Sequence, residues 1–345
     1  MKYFLHTDHW ARAQEALGHR VHRRAGEGWE FLAIEDSNPA GKLLYLPYGP
    51  VAESLRSFDQ ALVAARELAR DCGAVFLRCE PVQAGLPEEG YEPLLEARGL
   101  RRAPSNQQPE LSWVVDLDAS EQEILADMKS TNRNLYRNIH KKGVTFRKST
   151  DPADLDILLG FLHATAARNG FKAQSDDYLR TVAENLLPAG AGALFIAELE
   201  GTPIAAAFTY DSEDTRVYAH AALDDTHRKL SAGIPLVVTL IMDAKESGLA
   251  HVDLWGIAPE GQPDHQWAGF TSFKKSFGGH AVSYPGTWDL PVDKPRYYAY
   301  TGLRTARGYA RKGLAWARTA PGKARELVAA ARTTARGNGS ADGTN

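Results

Sequence analysis

The chain has 345 residues, 43% hydrophobic and 24% charged, with a formal net charge of −3. That balance suits a soluble globular protein long enough for two domains with real cores. It excludes a bilayer-spanning chain, since no run approaches the roughly 18 apolar residues a span needs.

The N-terminal stretch MKYFLHTDHWARAQ has one Lys and no continuous apolar segment, so it does not read as a signal peptide, and a cytoplasmic location is expected. Asp8 to Leu17 has the spacing of a helix. Trp29 to Ile34 and Leu43 to Tyr48 read as strands, separated by the turn residues Ser37, Asn38, Pro39 and Gly41. Phe58 to Asp71 is helical, with Leu62, Ala65 and Leu68 on one face. Ala74 to Cys79 follows as a short apolar strand. Glu121 to Lys141 reads as one helix, opened by a capping box of Ser120 and Glu123.

The second half repeats this order. Helices are expected over Asp154 to Arg168 and Asp176 to Leu187. A hairpin follows, Ala193 to Glu198 and Thr202 to Tyr210 around Glu200 and Gly201, then a strand from Arg216 to Leu223. Pro235 to Ser247 reads as helix and His251 to Gly256 as strand. Two units of hairpin, crossover helix and returning strand predict two related α/β domains.

Cysteine and histidine usage points away from metal chemistry. Cys72 and Cys79, the two cysteines, lack the partners a disulfide or thiolate site needs and read as buried free thiols. The eleven histidines show no HxxxH or HExxH spacing, so no metal is expected. Charge, by contrast, is segregated. Residues Lys294 to Arg336 hold eleven Lys or Arg against the single acid Glu326, and such a basic segment on an acidic body usually meets an anionic partner.

Several segments, in order, resemble the FemXAB aminoacyltransferases: HWARAQEALG, YLPYGPV (45–51), FLRCEP (76–81), MKSTNRNLYRNIHKKGV (128–144), HATAARNGF (163–171) and FTSFKKSFGG (270–279). No counterpart of the family's long coiled-coil insertion is present, which places the chain nearer the compact FemX type. The resemblance implies an α/β (α+β) fold of two tandem GNAT-like domains. The first would cover 1–143, completed by about 286–300, and the second 144–285. Residues 301–345 would form a basic helical extension with a polar, disordered end. It further implies transfer of Gly, Ala or Ser from aminoacyl-tRNA to the stem-peptide amine of lipid II or UDP-MurNAc-pentapeptide, with no cofactor.

That reaction needs an uncharged amine and a donor facing the oxyanion. Lys274 stands where the family places its Phe-Lys pair and by that resemblance is the expected catalytic residue; spacing alone favours a solvated Lys on an amphipathic segment. Phe273 takes a platform role by resemblance, although Phe273 and Phe277 at i, i+4 also suit plain packing. Glu80, at a strand end, is a candidate to accept a proton or orient the amine. Arg12 and Arg168 stand where the family holds precursor phosphates, which guanidinium engages bidentately; Arg12 replaces a more usual Lys. Tyr48 and Tyr218 are candidate cleft aromatics or core residues, and Asp253 is a residue that orients its neighbours. Lys129, Arg133, Arg137 and Lys141 form a basic stripe suited to tRNA or precursor phosphates, or a solvated face.

Within 301–320, arginines 304, 307, 311 and 318 cluster beside an apolar arc, the pattern of an interfacial helix at the inner face of the membrane; a tRNA-binding arm and a docked helix are the alternatives. Two rival functions remain. One is a CoA-dependent GNAT acyltransferase, whose phosphate loop would be RKLSAG (228–233), degraded by Ser231 in place of Gly. The other is a non-catalytic membrane or tRNA adaptor.

Overall fold

The computed structural model of the protein describes residues 1, 3–39, 41–83, 90–170, 174–265 and 267–304. A 3-10 turn (Phe4–His6) leads into α1 (Asp8–Ala16), capped by the Thr7 hydroxyl accepting from Trp10 N–H at 3.2 Å. The strands β1 (Arg20–Gly26), β2 (Trp29–Asn38), β3 (Gly41–Leu46) and β4 (Val51–Ala52) follow. Helix α2 (Leu55–Asp71) crosses to β5 (Phe76–Cys79), and β6 (Val82–Gln83), α3 (Glu92–Ala97) and β7 (Arg101–Arg102) complete this stretch. Ser54 and Ser57 cap α2 reciprocally, and Phe58, Leu62, Ala65 and Leu68 then bury one stripe against Phe31, Leu44 and Leu77 of the sheet. Each buried Leu or Phe there contributes about 2–3 kcal/mol.

The second stretch runs β8 (Leu111–Asp116), α4 (Glu121–Asp127), α5 (Ser130–Asn138) and β9 (Val144–Ser149). Then come α6 (Leu155–Asn169), α7 (Asp176–Leu186), β10 (Gly192–Leu199), β11 (Thr202–Asp211) and β12 (Thr215–Leu223). It closes with α8 (Gly233–Glu246), β13 (His251–Gly256), α9 (Ala268–Lys275) and β14 (His280–Ser283). The last strand, β15 (Trp288–Pro291), returns to the first sheet, and the chain is helical again over 294–304.

Among the described residues the strands form two sheets, ordered β6-β4-β2-β3-β5-β15-β7 with β1 on the far side of β2, and β14-β8-β13-β12-β11-β10-β9. In each sheet a crossover helix links a parallel pair, β3 with β5 through α2 and β12 with β13 through α8, and the short β4 and β6 form a further parallel pair in the first sheet. The expected repeat of hairpin, helix and strand is therefore present. A buried ion pair anchors β15: Arg78 Nε and Nη2 donate to Asp289 at 2.7 and 2.9 Å. Removing either partner would leave an uncompensated buried charge at a cost of about 3–5 kcal/mol.

The structure departs from the sequence reading in three places. The second sheet begins at β8, ahead of the residue 143 at which the first domain was expected to end. The N-terminal residues Phe4, Leu5 and Trp10 pack with α6, α7 and β10–β12, so the opening segment belongs to the core of the second sheet. The helix expected over Glu121 to Lys141 is broken at Met128, which is extended (φ −68°, ψ 155°). The break is tertiary in origin: Met128 is core, Lys129 N–H donates to the Ser276 carbonyl at 3.0 Å, and Asn132 Nδ2 donates to Ser276 Oγ at 2.8 Å.

Of the C-terminal extension, residues 305–345 lie outside the described residues, and so does most of the 301–320 segment read as interfacial. No helix among the described residues is long and apolar enough to cross a membrane.

Candidate active site

The parallel pairs β3–β5 and β12–β13 end differently. β12 and β13 pair only from Thr215–His251 to Val217–Asp253, after which β12 runs on to Leu223 beside β11 and β13 to Gly256 beside β8 without pairing to each other. The sheet is splayed there, and every residue from Tyr218 to Leu223 is half-buried, as expected of strand lining a cleft. In the first sheet the matching gap is stitched shut: Glu80 N–H donates to the carbonyls of Leu46 and Gly49 at 3.3 and 3.0 Å, and Val82 N–H to Pro50 at 3.1 Å. The second sheet thus carries the open cleft.

Lys274 stands at the end of that cleft. It lies in the last turn of α9, is only 8% exposed, and its Nζ donates to the Gly256 carbonyl at 2.7 Å. Its neighbour Lys275 is exposed, with Nζ 5.4 Å from the Trp113 ring centroid, so the two lysines have different fates. Gly256 must be glycine because a Cβ would meet the Trp267 ring at 2.7 Å. Before it, β13 slips register against β8 between Asp253 and Gly256, and Trp255 sits at φ +69°, turning the strand end toward Lys274.

Asp253 completes the pair. It is buried, and its Oδ1 accepts from Trp255 N–H at 2.7 Å. Burial pushes its carboxyl up to about 6, while burial pulls Lys274 down to about 8 against the opposing influence of Asp253. Two oppositely charged groups held toward neutrality at a cleft end mark a functional site. An ammonium has three donors, and Gly256 takes one.

The remaining expected residues separate. Tyr48, Asp253 and Trp255 line one cavity of about 20 Å³ between the two sheets. Tyr48 OH donates to the Pro109 carbonyl at 3.2 Å, and its ring lies 4.7 Å from that of Tyr284. Tyr218 lies on the splayed part of β12 and packs toward α8. Phe273 packs edge-on against Phe277 with ring centroids 5.0 Å apart, in the core cluster beside α8.

Glu80 is buried and fully engaged. Its carboxylate accepts from Tyr45 OH at 2.8 Å, Tyr48 N–H at 3.3 Å, Gln108 N–H at 2.7 Å and Thr287 Oγ1 at 2.7 Å. These donors come from three separate stretches of chain, the end of β3, the segment before β8 and the segment before β15. Burial raises its pKa against the pull of those bonds. Through these bonds Glu80 pins the first sheet closed.

The expected phosphate ligands are spread out. Arg12 is exposed on α1, with no polar partner among the described residues. Arg168, near the C-terminus of α6, pairs with Asp225 at 2.7 Å, on the loop that leaves β12. The basic stripe lies wholly after the helix break, on α5 and the 3-10 turn Ile139–Lys142 that follows it, and its members differ in engagement. Arg133 is half-buried, and its Nη1 caps α4 by donating to the carbonyls of Ala126 (2.8 Å) and Met128. Lys141 Nζ donates to Asn138 Oδ1 at 2.7 Å, and Lys129 and Arg137 remain exposed.

Sequence reasoning passed over His220. It lies on β12 next to a bulge at Ala219, where the β11–β12 register slips, and its ring is 5.9 Å from that of Tyr210 in the α6–α7 core. It makes no hydrogen bond among the described residues, and burial holds its pKa down at about 4, so the imidazole is neutral. Val217 packs in the same α6–α7 core and is in register with Asp253, so His220 and Asp253 share one face of the sheet. A lone His in a strand carries no motif, and only the splay reveals it.

The degraded phosphate loop also takes shape. Residues Asp225–Leu230 form a 3-10 turn, Ser231 sits at φ +53°, and α8 starts at Gly233. Ser231 N–H donates to Arg228 and Ile234 N–H to Ser231, at 3.0 and 3.1 Å, and Pro235 has no N–H. At most Ala232 and Gly233 keep a backbone donor for an anion, which is poor provision for a pyrophosphate.

The acetyltransferase (GNAT) domain family matches residues 126–267, which include the splayed pair and α8. In sequence, 105 residues are 26% identical to aminoacyltransferase FemA of Staphylococcus aureus, covering 30% of this chain and 25% of that relative's length. In fold, the crystal structure of FemX superposes with a TM-score of 0.76 at 17% identity, covering 86% of this chain and 94% of that one. The C-terminal domain of a putative lysylphosphatidylglycerol synthetase from Agrobacterium fabrum has a TM-score of 0.55 at 16% identity, covering 84% of this chain and 90% of that one.

Proposed function

From the premise of a Fem-type protein with the FemX fold and a GNAT domain, we propose that the chain is an aminoacyltransferase that extends the stem peptide of a peptidoglycan precursor. The donor in this reading is an aminoacyl-tRNA carrying Gly, Ala or Ser, and the acceptor is the stem-peptide amine of lipid II or UDP-MurNAc-pentapeptide. The observation that carries it is the buried Lys274 ammonium, held by Gly256 beside Asp253 where β12 and β13 part.

The amine nitrogen attacks the ester carbonyl carbon. A C–N bond forms, the C–O bond to the tRNA ribose breaks, the amine gives up a proton, and the ribose oxygen leaves with one. Lys274 uses its free N–H donors on the developing oxyanion, where a fixed charge in a dry site acts most strongly. Asp253 keeps that ammonium charged. His220, neutral and without a hydrogen-bond partner on the Asp253 face of the cleft, takes the amine proton. Tyr48 and Tyr218 flank the two sides of the reacting centre. Arg168 and the exposed Lys129 and Arg137 supply charge for phosphates of donor or acceptor. In this account the protein works at the inner face of the membrane, with 301–320 as the contact.

The CoA-dependent alternative draws on the GNAT match itself. The internally bonded loop at 231–235 favours a donor that does not rely on a pyrophosphate cradle. Thermal shift separates the two: acetyl-CoA should leave the melting temperature unchanged, and clear protection by it would favour the rival. No transfer from any charged tRNA to either precursor would favour the adaptor reading.

A further inference from the structure

At the outer edge of the first sheet, far in sequence from one another, His22, Glu35 and Cys72 converge, and we propose that they form a binding site for a zinc-class divalent cation. His22 comes from β1, Glu35 from β2, and Cys72 is the residue that ends α2. His22 pairs with Ala33, whose side chain lies in the core under α2, and Glu35 is two residues further along β2. Both side chains therefore point to the face that α2 covers, and the end of α2 brings Cys72 to them.

The distances suit a metal. One donor atom from each residue lies within 4.8 Å of the other two. His22 Nε2 is 2.9 Å from Glu35 Oε1 and 3.7 Å from Cys72 Sγ. Zinc bound tetrahedrally at about 2.0–2.3 Å sets neighbouring N, O and S donors roughly 3.3–3.6 Å apart, so side-chain shifts of roughly half an ångström would seat the ion. The donor set, one thiolate, one imidazole and one carboxylate, is that of a borderline-soft cation such as zinc and not of calcium or magnesium. All three residues are half-buried, which leaves room for a water as fourth ligand.

The surroundings favour a cation. The C-terminus of the 17-residue α2 turns the negative end of its dipole toward the cluster. Lys42 is the competitor, with Nζ 3.2 Å from Glu35 Oε2; its side chain is 52% exposed and free to turn to water. A bound ion has mechanical work to do here. β1 is an edge strand that pairs with β2 alone, and most of its residues are exposed. A metal joining His22 to Glu35 and Cys72 fastens that strand to the helix layer.

The site is independent of aminoacyl transfer, and its test reads metal directly. Full-length protein stripped with a chelator should take up one equivalent of Cd²⁺ with a thiolate-to-cadmium charge-transfer band. Cys79 is fully buried and cannot supply that band. Zn²⁺ should compete the band away and slow amide exchange in β1. Cys72→Ser and His22→Gln should each abolish the band, and Lys42→Ala should tighten binding several-fold. Absence of the band in wild type at micromolar metal would overturn the proposal, as would its survival in both Cys72→Ser and His22→Gln. A circular dichroism spectrum of each variant separates lost binding from lost folding.

Discussion

Lys274 donates to the carbonyl of Gly256 at 2.7 Å, and that bond fixes a buried ammonium at the one point where the second sheet comes apart. The arrangement relies on two local features, the absence of a Cβ at Gly256 and the positive φ of Trp255. Gly256→Ala would push Trp267 aside and displace the carbonyl, so it should lower turnover while leaving the first sheet intact. Hydrogen exchange and a transfer assay on the same sample check this; full activity in Gly256→Ala would show that the bond is dispensable.

The pH profile follows from the two shifted groups. If the ammonium stabilises the oxyanion, activity carried by it is present below about 8 and lost as pH rises through that value. Asp253 raises the Lys274 pKa, so Asp253→Asn should move the alkaline limb to lower pH. Lys274→Arg should remove the limb, since guanidinium does not titrate there. An unchanged limb in both variants would assign it to another group.

His220→Gln should reduce kcat on the order of 100-fold with little change in KM, the size expected for loss of a proton acceptor. The melting temperature should move little, because the imidazole makes no hydrogen bond among the described residues. Steady-state kinetics beside a melting curve decide the matter, and wild-type kcat would remove His220 from the mechanism.

Glu80→Ala should act on stability. Orphaning the donors of Tyr45, Tyr48, Gln108 and Thr287 costs about 3 kcal/mol or more. The variant should lose melting temperature, and activity in step with it. A stable Glu80→Ala protein with no activity would assign Glu80 the role of a base.

The periodic elements were legible because local signals and packing agree. The stripe of α2, the Ser120–Glu123 capping box and the hairpin at Glu200–Gly201 all stand where the pattern puts them. β1 was not legible, since RVHRRAG is a charged edge strand with no alternation to read. The break at Met128 carries no Pro or Gly and arises from contacts with Ser276, over 140 residues away in the chain. In the same way Lys274 stood out only by resemblance, whereas Asp253 gained its partner role and His220 its place beside the cleft from the splay of two strands. The Cys72 thiol was expected to be buried like Cys79 and is instead half-exposed beside His22 and Glu35, residues its sequence neighbourhood does not predict.

The most direct test incubates wild-type protein and Lys274→Ala with a mixture of charged tRNAs and either lipid II or UDP-MurNAc-pentapeptide, then reads the acceptor by mass spectrometry. Wild type should add one amino-acid residue to one of these acceptors, and the folded Lys274→Ala variant should add essentially none. Equal transfer by both proteins, or transfer by neither, would contradict the account.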